Sequence, residues 1–257
     1  MILDTHAHYD DEAFDADREE LLESLQPNGI EKVVNVCASI DGLQNTVALM
    51  EKYPFVYGAV GVHPDDADKM TQENLDEIRR LSHLDKMVAI GEIGLDYYWH
   101  KEKEEHEIQQ KMFRAQLDIA REEKMPFMIH SRDAAEDTLN IIREYMKGGM
   151  YGGIIHCFSY SKEIAAEYLK MGLYLGIGGV VTFENAKKLK EVVKYAPLSQ
   201  IVLETDSPYL APKPNRGKRN SSLNLPYVVR MIAELKEVTE EEVISVTREN
   251  ARTLLGI

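Results

Sequence analysis

Sulfur is scarce in this chain: two cysteines, Cys37 and Cys157, stand among 257 residues, and neither belongs to a C-x-x-C pair. This excludes a disulfide framework and a cysteine-rich zinc site, and makes a reducing, cytoplasmic setting the expectation. No apolar run approaches the roughly eighteen residues of a membrane span, and the start lacks the basic, apolar and small-residue regions of an export signal. Positive charge is in deficit as well. Lys and Arg number 30 against 44 Asp and Glu, a formal net charge of −14, which argues against a broad basic surface gripping duplex nucleic acid by its phosphates. Nor does a G-x-G-x-x-G follow the first apolar run, which counts against an open nucleotide-binding sheet.

What is present is alternation. Apolar, β-branched runs recur eight times: "MILDT", "EKVVNV", "FVYGAVGV", "MVAIGEI", "PFMIH", "GGIIHCF", "LYLGIGG" and "QIVLET". Between them lie charged segments with apolar residues at helical spacing, such as "NLDEIRRL", "EEHEIQQKMFRAQLDIAREE", "EIAAEYLKM" and "AKKLKEVVKY". A near-continuous apolar strand followed by an amphipathic helix is the mark of a parallel βαβ unit, and eight such units in this length predict an α/β fold, a (β/α)8 TIM barrel. A single domain over residues 1–257 is expected. After the eighth strand "LPYVVRMIAEL" supplies the eighth helix, and "TEEEVISVTRENARTLL" one extra C-terminal helix, opened by a Thr cap and early glutamates.

In such a barrel the chemistry sits at the C-terminal ends of the strands, and the ionisable residues fall there. "LDTHAHYD" puts His6 and His8 at i and i+2, on one side of a strand end. His63 stands at the third strand end, Glu92 ends the fourth, His130 the fifth, His156 the sixth, and Glu204 and Asp206 finish the eighth. His83, His100 and His106 lie in helical or loop stretches and read as surface residues. Four imidazoles and two carboxylates suit two divalent ions with positions left open for water or substrate. The mixed nitrogen and oxygen set fits Zn²⁺, Mn²⁺, Ni²⁺ or Co²⁺ better than Ca²⁺, while Mg²⁺ prefers more oxygen. Against the acidic background, "KPNRGKR" gathers Lys213, Arg216, Lys218 and Arg219 on a Pro- and Gly-bearing loop.

The blocks "DTHAH", "GVHP", "GEIGLDYY", "IHSRDA", "IIHCFS" and "LETDSPYL", in this order, resemble the TatD-type metal-dependent deoxyribonucleases, a branch of the amidohydrolase-like TIM barrels, from Ile2 to about Leu255. The resemblance implies that His6, His8, Glu92 and Asp206 surround one metal and that Glu92, His130 and His156 hold the other, with Glu92 as the bridge. It further implies phosphodiester hydrolysis on DNA; the lack of an extended basic track points to ends or single strands, and no membrane, no obligate protein partner and a monomer or small homo-oligomer are expected. The family commonly continues with Glu-Pro after "RGKRN", whereas Ser221 and Ser222 stand here; the metal ligands are untouched by this departure, the substrate contacts of the last loop are not.

Within that chemistry Asp206 is placed as proton acceptor beside the attacking water, and Glu204 as support for a ligand histidine through the i, i+2 rule. His63 is placed at the scissile phosphate or leaving oxygen. Arg132 and the loop residues Arg216, Lys218 and Arg219 are expected to meet neighbouring phosphates. Tyr97, with Tyr98 and Trp99, offers an aromatic face to a terminal base. Cys157, one residue past His156, is expected to point away from it into packing. The competing readings are a hydrolase of another ester or amide, an aminoacyl-tRNA deacylase among them, and a catalytically silent metal-bound scaffold.

Overall fold

The computed structural model describes all 257 residues. Its strands are β1 (Ile2–Ala7), β2 (Ile30–Val36), β3 (Val56–Val60), β4 (Met87–Asp96), β5 (Phe127–Arg132), β6 (Gly153–Ile155), β7 (Tyr174–Ile177) and β8 (Ile201–Leu203). The helices are α1 (Arg18–Leu25), α2 (Leu43–Lys52), α3 (Gln72–Ser82), α4 (Lys103–Glu122), α5 (Ala135–Lys147), α6 (Lys162–Lys170), α7 (Lys187–Tyr195), α8 (Leu225–Lys236) and α9 (Glu240–Leu255). Every apolar run picked out above overlaps a strand, the strands follow one another in chain order in the sheet, and the fold class is the (β/α)8 barrel. The extra helix is α9, whose Thr239 side chain accepts from the Glu242 amide as an N-cap. No helix is long and apolar enough to cross a membrane.

Two compact units divide the contacts: Met1–Asn35 with His156–Ile257, and Val36–Ile155. In the first, β1 pairs in parallel with β2, and β7 with β8. A parallel bridge from Ala7 to Ser207 ties the end of β1 to the segment after β8. The strands bury Leu3, Val33, Leu175, Val202 and Leu203, against which α8 and α9 set Val229, Ile232 and Val243. These are the near-continuous apolar strands that a sheet covered by helices requires.

In the second unit β3, β4, β5 and β6 pair successively in parallel. All ten residues of β4 are buried, Glu92 and Asp96 among them. Gly94 stands between those two carboxylates at φ 149° and opposite His130; a Cβ there would lie 1.9 Å from the His130 carbonyl oxygen. Only glycine lets β4 approach β5 at that level. Two buried amides of α4 then fix the strand ends as a neighbouring strand would. Gln109 accepts from the Asp96 amide at 2.9 Å and donates to its carbonyl at 3.1 Å. Gln116 does the same for Val62, at 2.8 and 3.1 Å. The residue next to Val62 is His63.

Candidate metal centre

Each unit carries a group of ligand atoms at its strand ends. In the first unit His6, His156 and Asp206 present three such atoms within 4.8 Å of one another. His6 and His8 leave β1 on one side, as alternation requires, and their Nε2 atoms stand 3.2 Å apart. His8 Nε2 is 3.3 Å from Asp206 Oδ1, and His6 Nε2 is 4.0 Å from it. The His6 and His156 rings stack at 3.7 Å with 16° between planes. Burial alone would push the Asp206 carboxyl up, but the His8 hydrogen bond and the charges of His156, His8 and His6 bring it below the usual carboxylate range. A buried carboxylate facing three imidazoles is a donor set that suits a divalent cation.

The alternation that sets His6 and His8 does not extend to Glu204 and Asp206. The strand ends at Leu203, and Asp206 takes the left-handed conformation at φ 57°. Asp206 therefore turns to His8, while Glu204 runs toward β7. Glu204 Oε1 accepts from the Cys157 amide at 2.6 Å and stands 3.4 Å from His156 Nδ1. Space for its carboxylate exists because residue 176 is glycine; a Cβ there would lie 2.1 Å from Oε2. Cys157 is not on a strand, since β6 ends at Ile155 and Cys157 itself sits at φ 43°. The strand alternation on which the expectation for its side chain rested is absent there, and its backbone N–H donates to Glu204.

Behind this group lies Asp4, fully buried. It accepts from Thr205 N at 3.0 Å, Thr205 Oγ1 at 2.7 Å and Ser222 Oγ at 2.6 Å. Burial pushes its carboxyl up to about 7, against the pull of those hydrogen bonds. Ser222, one of the two serines that depart from the expected Glu-Pro, also lies 2.8 Å from the buried Tyr9 hydroxyl. The departure is thus turned inward, to the back of β1.

In the second unit His63, Glu92 and His130 present ligand atoms within 4.8 Å of one another. His130 Nδ1 is 2.9 Å from Glu92 Oε1, and its Nε2 is 3.1 Å from Asp96 Oδ2. Asp96 Oδ1 takes the amides of Tyr98 and Trp99 at 2.9 and 3.1 Å. Burial works against the Asp96 anion, yet His130 and the two amides hold its carboxyl below the usual range. Sequence reasoning missed Asp96. The signal was available: Glu92, Gly94 and Asp96 are i, i+2, i+4 on one face of β4. His63 Nε2 lies 4.0 Å from Glu92 Oε1, and its Nδ1 faces both the Asp65 amide at 3.2 Å and Asp65 Oδ2 at 3.3 Å.

The residues expected to meet substrate separate into packed and exposed ones. Tyr97 is packed: its ring stacks on His106 at 3.6 Å, and its hydroxyl donates to Asp137 Oδ2 at 2.9 Å. Tyr98 and Trp99 are the exposed aromatics of that loop. Arg219 is clamped by Asp17 at 2.7 and 2.5 Å and donates to the Ala13 carbonyl, so it closes the loop on the α1 approach instead of offering its charge. Arg216 rests over the Phe183 ring at 4.3 Å and, like Lys218, is exposed. Arg132 lies over Tyr98. His100, read as a plain surface residue, instead faces Asp65 and Glu105.

A (β/α)8 chain with histidines and carboxylates gathered at its strand ends has the make-up of a metal-dependent hydrolase. The comparisons with known proteins narrow the class. The model of the family described as TatD related DNase matches residues 3–256, and the chain belongs to that family. It is 47% identical over 257 residues, the whole of both chains, to the metal-dependent hydrolase YabD of Bacillus subtilis (strain 168). It is 31% identical over 250 residues, 95% of each chain, to the 3'-5' ssDNA/RNA exonuclease TatD of Salmonella typhimurium. Among solved structures, the TatD homologue YjjV of Escherichia coli K12 matches with a TM-score of 0.92 and 27% identity, covering 100% of this chain and 98% of that one.

Proposed function

We propose that this hydrolase cuts DNA phosphodiester bonds at strand ends or in single strands, using two divalent ions held by His6, His8, Glu92, His130, His156 and Asp206 with Glu92 shared. The observation that carries the reading is the convergence of His6 Nε2 and His8 Nε2 at 3.2 Å beside Asp206. Two imidazole nitrogens at that distance either share a proton or turn both lone pairs toward one cation, and the adjoining carboxylate favours the second. The exonuclease name of the Salmonella relative supports the substrate class, and the pair of free cysteines supports a cytoplasmic setting.

Divalent ions bound there would polarise the phosphate and lower the pKa of an attacking water from about 15.7 toward neutrality. The residues do the rest. Asp206, held anionic by its histidines, takes the proton of the water. Glu204 and Asp96 fix the rings of His156 and His130, so that their lone pairs stay directed at the ligand position. His63, steadied through Nδ1 by Asp65, presents Nε2 toward the leaving oxygen. Arg132 and Arg216 meet flanking phosphates.

The test is hydrolysis of a short end-labelled single strand, with its duplex and RNA counterparts, at measured metal content. A ladder growing from one end, lost in Glu92→Ala together with bound metal, is the expected result. Metal-loaded protein that leaves every nucleic acid intact but hydrolyses an ester or amide would overturn the nuclease reading and keep the hydrolase.

A further inference from the structure

The chain's single tryptophan stands in open solvent. Trp99 is 65% exposed and its neighbour Tyr98 42%, although an aromatic ring gains free energy by leaving water. The loop that carries them is not loose. Both amides donate to Asp96 Oδ1, whose other oxygen faces His130 Nε2, and the Tyr97 amide donates to the Arg132 carbonyl at 2.9 Å. One carboxylate therefore registers the exposed rings against a candidate metal ligand.

Arg132 follows His130 by two residues on β5. Its guanidinium lies 4.0 Å from the Tyr98 ring centroid and 5.5 Å from that of Trp99, and it makes no ion pair. Lys101 adds a second cation 5.2 Å from Tyr98. Tyr98 and Trp99 meet edge to face, at 84° and 4.6 Å, and Trp99 keeps most of its surface exposed. An exposed indole can stack a base, and a guanidinium over an aromatic ring keeps N–H donors for phosphate oxygens.

We propose that Trp99, Tyr98 and Arg132 form a subsite for one unpaired nucleotide flanking the bond to be cut, Trp99 stacking its base and Arg132, seated on Tyr98, holding its phosphate. The inference rests on the phosphodiester reading of the neighbouring centre and adds a reason for strand preference. Within a duplex both faces of a base are covered by its neighbours, so only a frayed end or a single strand offers Trp99 a face.

Because Trp99 is the only tryptophan, its emission reports on the subsite alone. Metal-loaded protein is titrated with phosphorothioate-linked octathymidylate, with an abasic strand of equal length, and with a blunt duplex. Expected are saturable quenching by the thymidylate and little by the other two. In anisotropy with an end-labelled strand, Trp99→Ala should weaken thymidylate binding about 10-fold, within the range of about 1–3 kcal/mol for one base stacked on an aromatic ring. Trp99→Phe should restore most of it. Arg132→Gln should weaken thymidylate and abasic strands alike. Equal quenching by the abasic strand would overturn base stacking. Turnover of single strands without quenching would overturn the subsite and leave the nuclease reading standing. Absence of both binding and turnover would overturn the two together, whereas quenching without turnover would uphold the subsite and remove the activity.

Discussion

Asp96 Oδ2 stands 3.1 Å from Nε2 of His130, the ring nitrogen opposite the one that faces Glu92. A carboxylate at that place draws the ring proton to Nε2 and leaves the Nδ1 lone pair for a cation. In Asp96→Asn the side-chain carbonyl can still accept from the Tyr98 and Trp99 amides, but its NH₂ then faces Nε2 and forces the proton onto Nδ1. Metal affinity should fall by about 10- to 100-fold while the fold is kept. Calorimetric titration of Mn²⁺ or Zn²⁺, beside far-UV circular dichroism, measures both; unchanged affinity would remove Asp96 from this role.

How far the sequence disclosed this site depends on where regular strand ends. Alternation on β1 predicts the joint approach of His6 and His8, because the strand persists to Ala7. Alternation at β8 misleads, because the strand stops at Leu203 and the left-handed Asp206 breaks the period. Asp96 escaped notice although its period was readable, since attention to histidines hides the carboxylates that orient them. The roles of Gln109 and Gln116 could not be read at all: each pairs with a backbone segment remote in sequence, and a polar residue on a helix carries no sign of its partner. The basic loop looked uniform in sequence, yet only a partner as distant as Asp17 decides that Arg219 is spoken for.

That distinction divides the loop into two kinds of cation. Neutralising Arg216 and Lys218 together should weaken single-strand binding and reduce the slope of log K against log salt by about 1.4, at about 0.7 per phosphate contact. Arg219→Gln should leave that slope nearly unchanged and lower the melting temperature, because it releases the loop from Asp17 and Ala13. Binding isotherms at several salt concentrations separate the two; an equal loss of slope from Arg219→Gln would show that its clamp opens for phosphate.

Ser222 makes a different expectation, of stability. Its hydroxyl joins the buried Asp4 carboxyl at 2.6 Å to the buried Tyr9 hydroxyl at 2.8 Å. Ser222→Ala leaves both with one partner fewer, out of reach of water, and should cost about 1–3 kcal/mol. Ser222→Thr keeps the hydroxyl but must place a methyl group in a fully buried position, so it should recover only part of the loss. Urea unfolding with unchanged m-values is the measurement. A Ser222→Ala protein as stable as the parent would mean that water replaces the hydroxyl.

The network that ends at His63 has a pH signature of its own. Its outer members are His100, Asp65 and Glu105, with His106 Nε2 on the His100 carbonyl, at a cleft that Asp68 and Lys69 also line. Burial pulls the His100 pKa down, but the hydrogen bonds and charges of Asp65 and Glu105 raise it overall. Asp65 is held down to about 2, first by its hydrogen bond with His63 and then, against burial, by the charges of both histidines. A histidine with a raised folded pKa stabilises the fold fully below its unfolded value of about 6.5 and loses that contribution as pH climbs through the folded value. A carboxylate held at about 2 contributes above its ordinary value of 3.8 and loses that contribution as pH falls toward about 2. Both act together between about pH 4 and 6.5. Melting temperatures across pH 4–9 should therefore decline above about pH 6.5 in the parent and decline less in His100→Gln, which cannot lose a proton there. Parallel curves for the two proteins would place the alkaline sensitivity elsewhere.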